Sequence, residues 1–291
     1  MSGGVTDLAR LARPRQWVKN GFVLVGWLFG HGWREPGTTG EAIAAFAAFC
    51  LVSSAVYALN DVLDRAADRA HPQKRERPVA SGAVSVAGAL GFAAALAALG
   101  LALAAWISRP ALAIAAGYIV LNLGYSLGLK HVAILDVFMI AGGFMLRILA
   151  GTLGIGIAPS RWLLACGLML TVFLGFTKRR AELLELEDQG GDHRRVLADY
   201  TPELLDKMIS ISAAGALTAY ALYTVDAATV ALHGTDKLIL TLPFVLYGIF
   251  RFIYLLHRRG GGGDPARDLL HDPHLLGAAI GWLAAAAWIL A

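Results

Sequence analysis

The chain has 291 residues, of which 57% are hydrophobic and only 16% are charged, and its net charge at pH 7 is +4. A soluble domain of this length carries more charge and less apolar content, so the composition excludes the ordinary soluble classes and predicts a membrane protein. No nucleic-acid partner is expected.

Nine apolar segments follow one another along the chain, and most approach the roughly 20 residues that a helix needs to cross a bilayer. Their predicted extents are 18–33, 41–60, 83–106, 111–129, 132–156, 161–177, 204–224, 238–256 and 274–290. The simplest organisation is one all-α transmembrane domain over residues 1–291, embedded in the bilayer. The segment 88–105 is rich in small residues and could pack against a second copy, so a homo-oligomer is an open alternative.

The lysines and arginines are strongly segregated when the connections between these segments alternate across the membrane. One side receives residues 1–17, 61–82, Lys130, 178–203 and 257–273, which carry nearly all of the positive charge. The positive-inside rule places this side in the cytoplasm and the C-terminus outside. We therefore expect a multi-pass protein of the plasma (inner) membrane, with its active site on the cytoplasmic side, where the long ionisable loops lie. An even number of spans would destroy the segregation.

An acidic motif ends the second segment. On a continuing helix, Asp61, Asp64 and Asp68 lie within roughly 60° of one another, because each residue turns the helix by about 100°. Three carboxylates so close together repel one another, and hard oxygen ligands favour Mg²⁺ shared with a substrate phosphate. The alternative is a solvated helix end with incidental acids.

A basic loop follows the acidic motif, and its Lys74 and Arg77 are suited to bind phosphate oxygens. Cations placed a few residues after metal-binding acids suit a doubly charged phosphate ligand. The alternative is that the loop only reflects the membrane topology.

The chain resembles the UbiA-like prenyltransferases in its nine segments, in the motif Asn60-Asp61-x-x-Asp64-x-x-x-Asp68 and in the basic Arg77-Pro78…Gly82 loop. The resemblance implies about nine transmembrane helices around a cytoplasm-facing cavity. It also implies that Asp61 and Asp64 hold Mg²⁺ on a diphosphate leaving group. Asp68 would complete the metal shell or orient a water ligand, and Asn60 would contact the substrate.

Three further stretches are similar to the decaprenyl-phosphate phosphoribosyltransferase branch of this family, namely 13–20, 128–131 and 178–183. That resemblance implies transfer of 5-phosphoribose from 5-phosphoribosyl 1-diphosphate to a polyprenyl phosphate. Lys74 and Arg77 would bind the donor phosphates. The candidates to position the lipid phosphate are Lys19, Lys130 and Lys178.

The stretch after the sixth segment departs from the aromatic prenyltransferases, which usually carry a second aspartate-rich motif there. In this chain it begins Lys178-Arg179-Arg180. A sugar donor has a diphosphate and a separate 5-phosphate, so Lys178 and Arg179 are predicted to contribute a second anion-binding region. Prenylation of an aromatic acceptor and secondary transport of an anionic solute remain as alternatives.

Arg147 lies about ten residues into the fifth segment, where an unpaired charge is costly. It could face the cavity and bind a substrate phosphate. Alternatively, it could form a buried pair with a carboxylate such as Asp136.

Overall fold

The structure, a computed structural model, describes residues 3–72, 74–189, 195–259 and 265–290. Throughout these ranges the regular structure is helical. The α-helices are α1 (Gly3–Ala12), α2 (Phe22–Phe29), α3 (Thr38–Leu63), α4 (Arg65–Ala70), α5 (Pro78–Ser81), α6 (Val86–Ile107), α7 (Arg109–Leu127), α8 (Leu135–Ala150), α9 (Arg161–Gln189), α10 (Pro202–Val225), α11 (Ala227–His233), α12 (Leu242–Arg259), α13 (Pro265–His271) and α14 (Pro273–Leu290).

Within the described ranges, eight helical spans are long and apolar enough to cross a membrane. Each coincides with one of the last eight predicted segments, so the prediction of an all-α integral membrane protein is confirmed. The first predicted segment, 18–33, instead contains the end of a 3₁₀ helix (Pro14–Gly21) and the short helix α2. Eight residues of α-helix extend only about 12 Å, less than half of the hydrocarbon thickness. The count of nine spans therefore stays a prediction.

The helices form two compact units. Unit 1 comprises Met1–Leu129 and Gly143–Pro159, and unit 2 comprises Lys130–Gly142 and Ser160–Ala291. Helix α8 contributes its first half to unit 2 and its second half to unit 1. The single domain over 1–291 stays a prediction.

Unit 1 is built around α3, which packs closely against α6. A side chain at Gly100 of α6 would lie 2.7 Å from Val52 and 3.1 Å from the carbonyl oxygen of Ala48, so the two backbones can approach only because this position is glycine. Small residues promote such packing between membrane helices, where hydrophobic burial provides little driving force. The tight packing holds α3 in place, and α3 carries the acidic motif at its end.

Unit 2 packs α9 against α10 and α12 around large buried side chains. Phe173 of α9 and Phe252 of α12 lie with their ring centroids 5.7 Å apart. Gly175 allows α9 to contact the first half of α8, since a Cβ there would lie 2.6 Å from Val137. These contacts hold the part of α9 that precedes Lys178, Arg179 and Arg180.

Helix α14, the last helix of unit 2, is anchored at its N-terminus by Asp272. The carboxylate of Asp272 accepts hydrogen bonds from the backbone N–H groups of His274 and Leu275, at 3.1 and 3.0 Å, and therefore caps α14. Arg251 of α12 binds the same carboxylate through both oxygens, at 3.1 and 2.8 Å. A bidentate pair of this kind ties α12 to the start of α14.

We expect Asp272→Ala to lower the free energy of unfolding by about 0.5–2 kcal/mol through the lost cap, and by more if the ion pair contributes. Asp272→Asn is the matched control, because asparagine keeps a capping oxygen but loses the charge. Thermal unfolding in detergent would measure both. Equal stability of wild type and the alanine variant would contradict the anchoring role.

The same pair has a pH signature. The hydrogen bonds from Arg251 lower the pKa of Asp272 from 3.8 to about 2. A lowered pKa means that the folded state favours the carboxylate. Its stabilisation is therefore present above about pH 4 and is lost as the pH falls through about 2. Between those values, the melting temperature should fall more steeply for wild type than for Asp272→Asn.

Candidate functional site

The acidic motif of unit 1 lies where α3 passes into α4. The backbone N–H of Asp64 donates to the carbonyl of Asn60, and that of Asp68 donates to the carbonyl of Asp64, both at 2.8 Å. The helical hydrogen-bonding pattern therefore continues through the junction. Asp61 and Asp68 are buried, with 1% and 3% of their surface exposed, whereas Asp64 is half-buried.

Two arginines bind the buried carboxylates of the motif. Nη1 of Arg77 donates to Oδ1 of Asp61 at 3.3 Å and to Oδ2 of Asp68 at 2.7 Å, so one guanidinium bridges both acids. Nη2 of Arg13 also binds Oδ1 of Asp61. Buried carboxylates are tolerated only when they are paired. The two guanidinium groups supply that compensation.

Arg13 is a site residue that the sequence analysis did not single out. Its guanidinium lies 5.3 Å from the centre of the Tyr57 ring, within the range of a cation–π interaction. The chain around it is attached to α3, because Ser54 accepts a hydrogen bond from Trp17 at 3.0 Å and donates to the carbonyl of Ala12 at 2.7 Å. The sequence feature that could have indicated Arg13 is its position immediately before Pro14, within the stretch 13–20 that is similar to the phosphoribosyltransferase branch.

The basic loop folds back onto the acidic motif. Arg69 of α4 donates to the carbonyl of Ala80 at 2.9 Å, and Arg10 donates to the carbonyl of Glu76 at 3.1 Å. Of the two cations predicted to bind the donor, Arg77 reaches the aspartates. Lys74 lies exposed on a 3₁₀ turn of the same loop.

Asn60 is oriented by α7. The hydroxyl of Ser126 donates to Oδ1 of Asn60 at 2.6 Å. This contact fixes the direction of the amide side chain at the end of α3, one residue before Asp61.

The acids of this site fit a metal that is shared with a ligand. Among the described residues, no group of three His, Cys, Asp or Glu side chains could hold a metal. Mg²⁺ usually takes only one or two carboxylates and completes its shell with water and substrate phosphates. The buried Asp61 and the half-buried Asp64 match that ligand chemistry.

Arg147 lies in a buried network of neutral groups in unit 1. It is 4% exposed and donates to Asn20 Oδ1 at 2.8 Å, to the Tyr118 hydroxyl at 2.8 Å and to the carbonyl of Gly143 at 3.0 Å. The alternative that Arg147 pairs with Asp136 is therefore wrong, because its guanidinium binds neutral oxygens. Phosphate binding by Arg147 stays a prediction. Lys19 is exposed beside the fully buried Asn20.

Unit 2 contains a buried ionic network centred on Asp136, which has no exposed surface. Nε of Arg179 donates to Oδ2 of Asp136 at 2.6 Å, and Nη1 donates to Glu182 at 2.5 Å. The hydroxyl of Tyr200 donates to Oδ1 of Asp136 at 2.8 Å. Burial, together with the hydrogen bond to Asp136, raises the pKa of Tyr200, so this hydroxyl stays protonated near neutral pH.

The cations predicted after the sixth segment therefore differ in their surroundings. The side chain of Arg179 is 1% exposed and bound to two carboxylates, whereas that of Lys178 is 45% exposed, with Nζ 3.9 Å from Glu182. Lys130, also in unit 2, is half-buried on a 3₁₀ turn before α8. Lys178 and Lys130 are thus partly accessible, while Arg179 is an internal ion-pair partner.

Comparison with known proteins gives a consistent result. Residues 21–272 match the model of the UbiA prenyltransferase family. Decaprenyl-phosphate phosphoribosyltransferase of Corynebacterium glutamicum is 36% identical over 285 residues, covering 95% of this chain and 84% of the relative. The protein of the same name from Mycolicibacterium smegmatis is 33% identical over 288 residues, covering 96% and 91%.

Solved structures show the same fold. A UbiA homologue from Archaeoglobus fulgidus, bound to GPP and Mg²⁺, superimposes with a TM-score of 0.73 over 98% of this chain and 99% of that one. The sequence identity is 19%, so this likeness establishes the fold alone.

Proposed function

Because the chain belongs to the UbiA prenyltransferase family, we propose that it is a membrane glycosyltransferase that acts on a lipid phosphate. It transfers 5-phosphoribose from 5-phosphoribosyl 1-diphosphate to a polyprenyl phosphate of the decaprenyl type. The bond from the anomeric carbon to the diphosphate breaks, a bond to a lipid phosphate oxygen forms, and diphosphate leaves. The observation that carries this proposal is the identity of 33–36%, over nearly the whole chain, to phosphoribosyltransferases of that specificity.

The donor diphosphate binds at the acidic motif of unit 1. Asp61 and Asp64 would hold Mg²⁺ there, with Asp68 completing its shell or orienting a water, and the metal would neutralise charge on the leaving diphosphate. Arg77 and Arg13 already lie at this motif, and guanidinium groups bind phosphate oxygens in bidentate fashion. Their side chains are 29% and 26% exposed, which supports a role for both arginines in binding the diphosphate beside the aspartates.

The acceptor requires positioning more than activation. A phosphate monoester is already anionic near neutral pH, so no strong general base is needed, and catalysis rests on orientation and electrostatics. Lys19 is the candidate of unit 1 for binding the lipid phosphate, and Lys130 and Lys178 are the candidates of unit 2. Lys178 and Lys130 are supported by the partial exposure of these residues.

The protein would lie in the plasma membrane with the acidic motif facing the cytoplasm. The segregation of lysine and arginine supports this orientation. So does the nature of the donor, a highly charged soluble molecule that cannot cross a bilayer unaided.

Two assays test the proposal, one for the reaction and one for the orientation of the site in the membrane. Purified protein with Mg²⁺, polyprenyl phosphate and labelled phosphoribosyl diphosphate should form labelled lipid and an equal amount of diphosphate. Inverted membrane vesicles should use donor added outside, whereas right-side-out vesicles should not. If the protein instead transfers a polyprenyl group from its diphosphate to an aromatic acceptor and ignores the sugar donor, the proposal fails.

A further inference from the structure

The turn that leads from Lys130 into α8 has an unusual backbone conformation. Ile134 has φ +70°, in the left-handed region that β-branched residues rarely occupy. Such a conformation is unfavourable and persists only when surrounding contacts impose it. Ile134 is 42% exposed, so burial of its side chain contributes little to this conformation.

The hydroxyl of Tyr200 is one contact that constrains this conformation, beside the hydrogen bonds that the carbonyl of Ile134 accepts from the N–H groups of Val137 and Phe138. The hydroxyl accepts a hydrogen bond from the backbone N–H of Ile134 at 2.5 Å and donates to Oδ1 of Asp136 at 2.8 Å. One oxygen atom therefore binds two points at the start of α8. The backbone N–H of Asp136 also donates to the carbonyl of Val132 at 3.0 Å, which closes the turn.

Tyr200 and its partner Asp136 are both buried. Tyr200 is only 4% exposed, and the second oxygen of Asp136 is bound by the buried Arg179. The turn is therefore bound to a buried side chain at Ile134, and the partly exposed Lys130 precedes it in the chain.

We infer that Tyr200 is a positioning residue for Lys130, and that its hydroxyl sets the turn so that the ammonium group meets the phosphate of the lipid acceptor. This inference rests on the proposed function for the identity of the ligand. It assigns Tyr200 no contact with substrate and no part in proton transfer. Its role is to stabilise one backbone conformation.

Unit 2 contains a matched control for the loss of a buried hydroxyl. Tyr220 is 8% exposed, and its hydroxyl lies 2.6 Å from Oγ1 of Thr241 and 2.7 Å from Nε1 of Trp282. Like Tyr200, it has two hydrogen-bond partners, but these are Thr241 and Trp282, which lie outside the turn. Tyr220→Phe therefore removes a comparable interaction elsewhere in the same unit.

Kinetics separate positioning from general stability. Tyr200→Phe should raise KM for polyprenyl phosphate about tenfold, with kcat at saturating lipid within about twofold of wild type. KM for the sugar donor should not change. Tyr220→Phe should lower the melting temperature comparably and leave both KM values unchanged. A fall in kcat with unchanged lipid KM in Tyr200→Phe would overturn the inference.

Substitutions at Ile134 test the same turn without touching the tyrosine. Glycine adopts φ +70° without strain, so Ile134→Gly should restore much of the lipid KM in the Tyr200→Phe background. Ile134→Pro removes the N–H and cannot adopt that angle, so it should reproduce the Tyr200→Phe defect. A wild-type lipid KM for the proline variant would contradict the inference.

A chemical readout needs no substrate and so distinguishes this inference from the proposed function. The rate at which a small acetylating reagent modifies Nζ of Lys130, followed by peptide mass spectrometry, reports the surroundings of that amine. We expect a change of severalfold in Tyr200→Phe and in Ile134→Pro, but not in Tyr220→Phe. Unchanged modification would refute the positioning role. A changed rate in a protein without transferase activity would refute the proposed function and leave the positioning role standing.

Discussion

Asp61→Asn should reduce turnover by about two orders of magnitude or more, while the protein remains folded. The substitution removes a charged oxygen ligand from the group that would hold the metal and the leaving diphosphate. Electrostatic stabilisation of a leaving group is among the largest contributions to catalysis, and the loss of one such group commonly costs about 10²–10³-fold in rate. The rate should be measured at saturating Mg²⁺, so that weaker metal binding alone does not explain the loss.

The surroundings of Asp61 explain why the fold should survive. Asparagine keeps a side-chain oxygen that can accept from Arg13 and Arg77. Their side chains are 26% and 29% exposed, and Arg77 also binds Asp68. Neither guanidinium is left both buried and without a carboxylate, so the destabilisation should be small.

Asp7→Asn is the appropriate control for this substitution. Asp7 also pairs with an arginine, Arg10, at 3.5 Å, but it lies on α1 outside the acidic motif. Its loss should leave turnover near the wild-type value. Near-normal turnover in Asp61→Asn would remove the assignment of the diphosphate site.

Arg179→Ala should destabilise the protein by about 3–5 kcal/mol, because it leaves Asp136 buried and without its cation. Lys178→Ala, at the adjacent position, should change stability much less, since that side chain is 45% exposed and exposed ion pairs such as the one with Glu182 contribute little. If Lys178 binds a phosphate, its loss should instead weaken ligand binding by about 1.5–3 kcal/mol. Denaturant unfolding in detergent and ligand titration would separate the two effects.

Arg179→Lys provides the graded control. Lysine keeps the charge but lacks the planar fork that binds Asp136 and Glu182 together, so an intermediate stability is expected. If Arg179→Ala retained wild-type stability and lost only affinity for the sugar donor, Arg179 would be a substrate ligand, as its place in the basic stretch 178–180 predicts.

The membrane fold followed from the sequence because the length and polarity of an apolar run are local properties. A run near 20 residues must cross the bilayer as a helix, whatever the rest of the chain does. Eight of the nine segments could be located in this way. The segment 18–33 could not be located in this way. Its composition is largely apolar and does not indicate that a 3₁₀ helix changes to an α-helix at Phe22.

The proximity of Asp61 and Asp68 could also be predicted from the sequence, since residues two helical turns apart point in similar directions, and Arg77 bridges their carboxylates. The cations depended on the tertiary structure. Arg13 meets Asp61 across 48 positions of sequence, and Arg179 meets Asp136 across 43. Spacing along the chain carries no information about such pairs. The packing of the helices decides which distant carboxylate lies beside each cation. A buried cation such as Arg179 is paired with such a carboxylate, because a buried charge has to be compensated. A cation that stays exposed can instead bind a ligand.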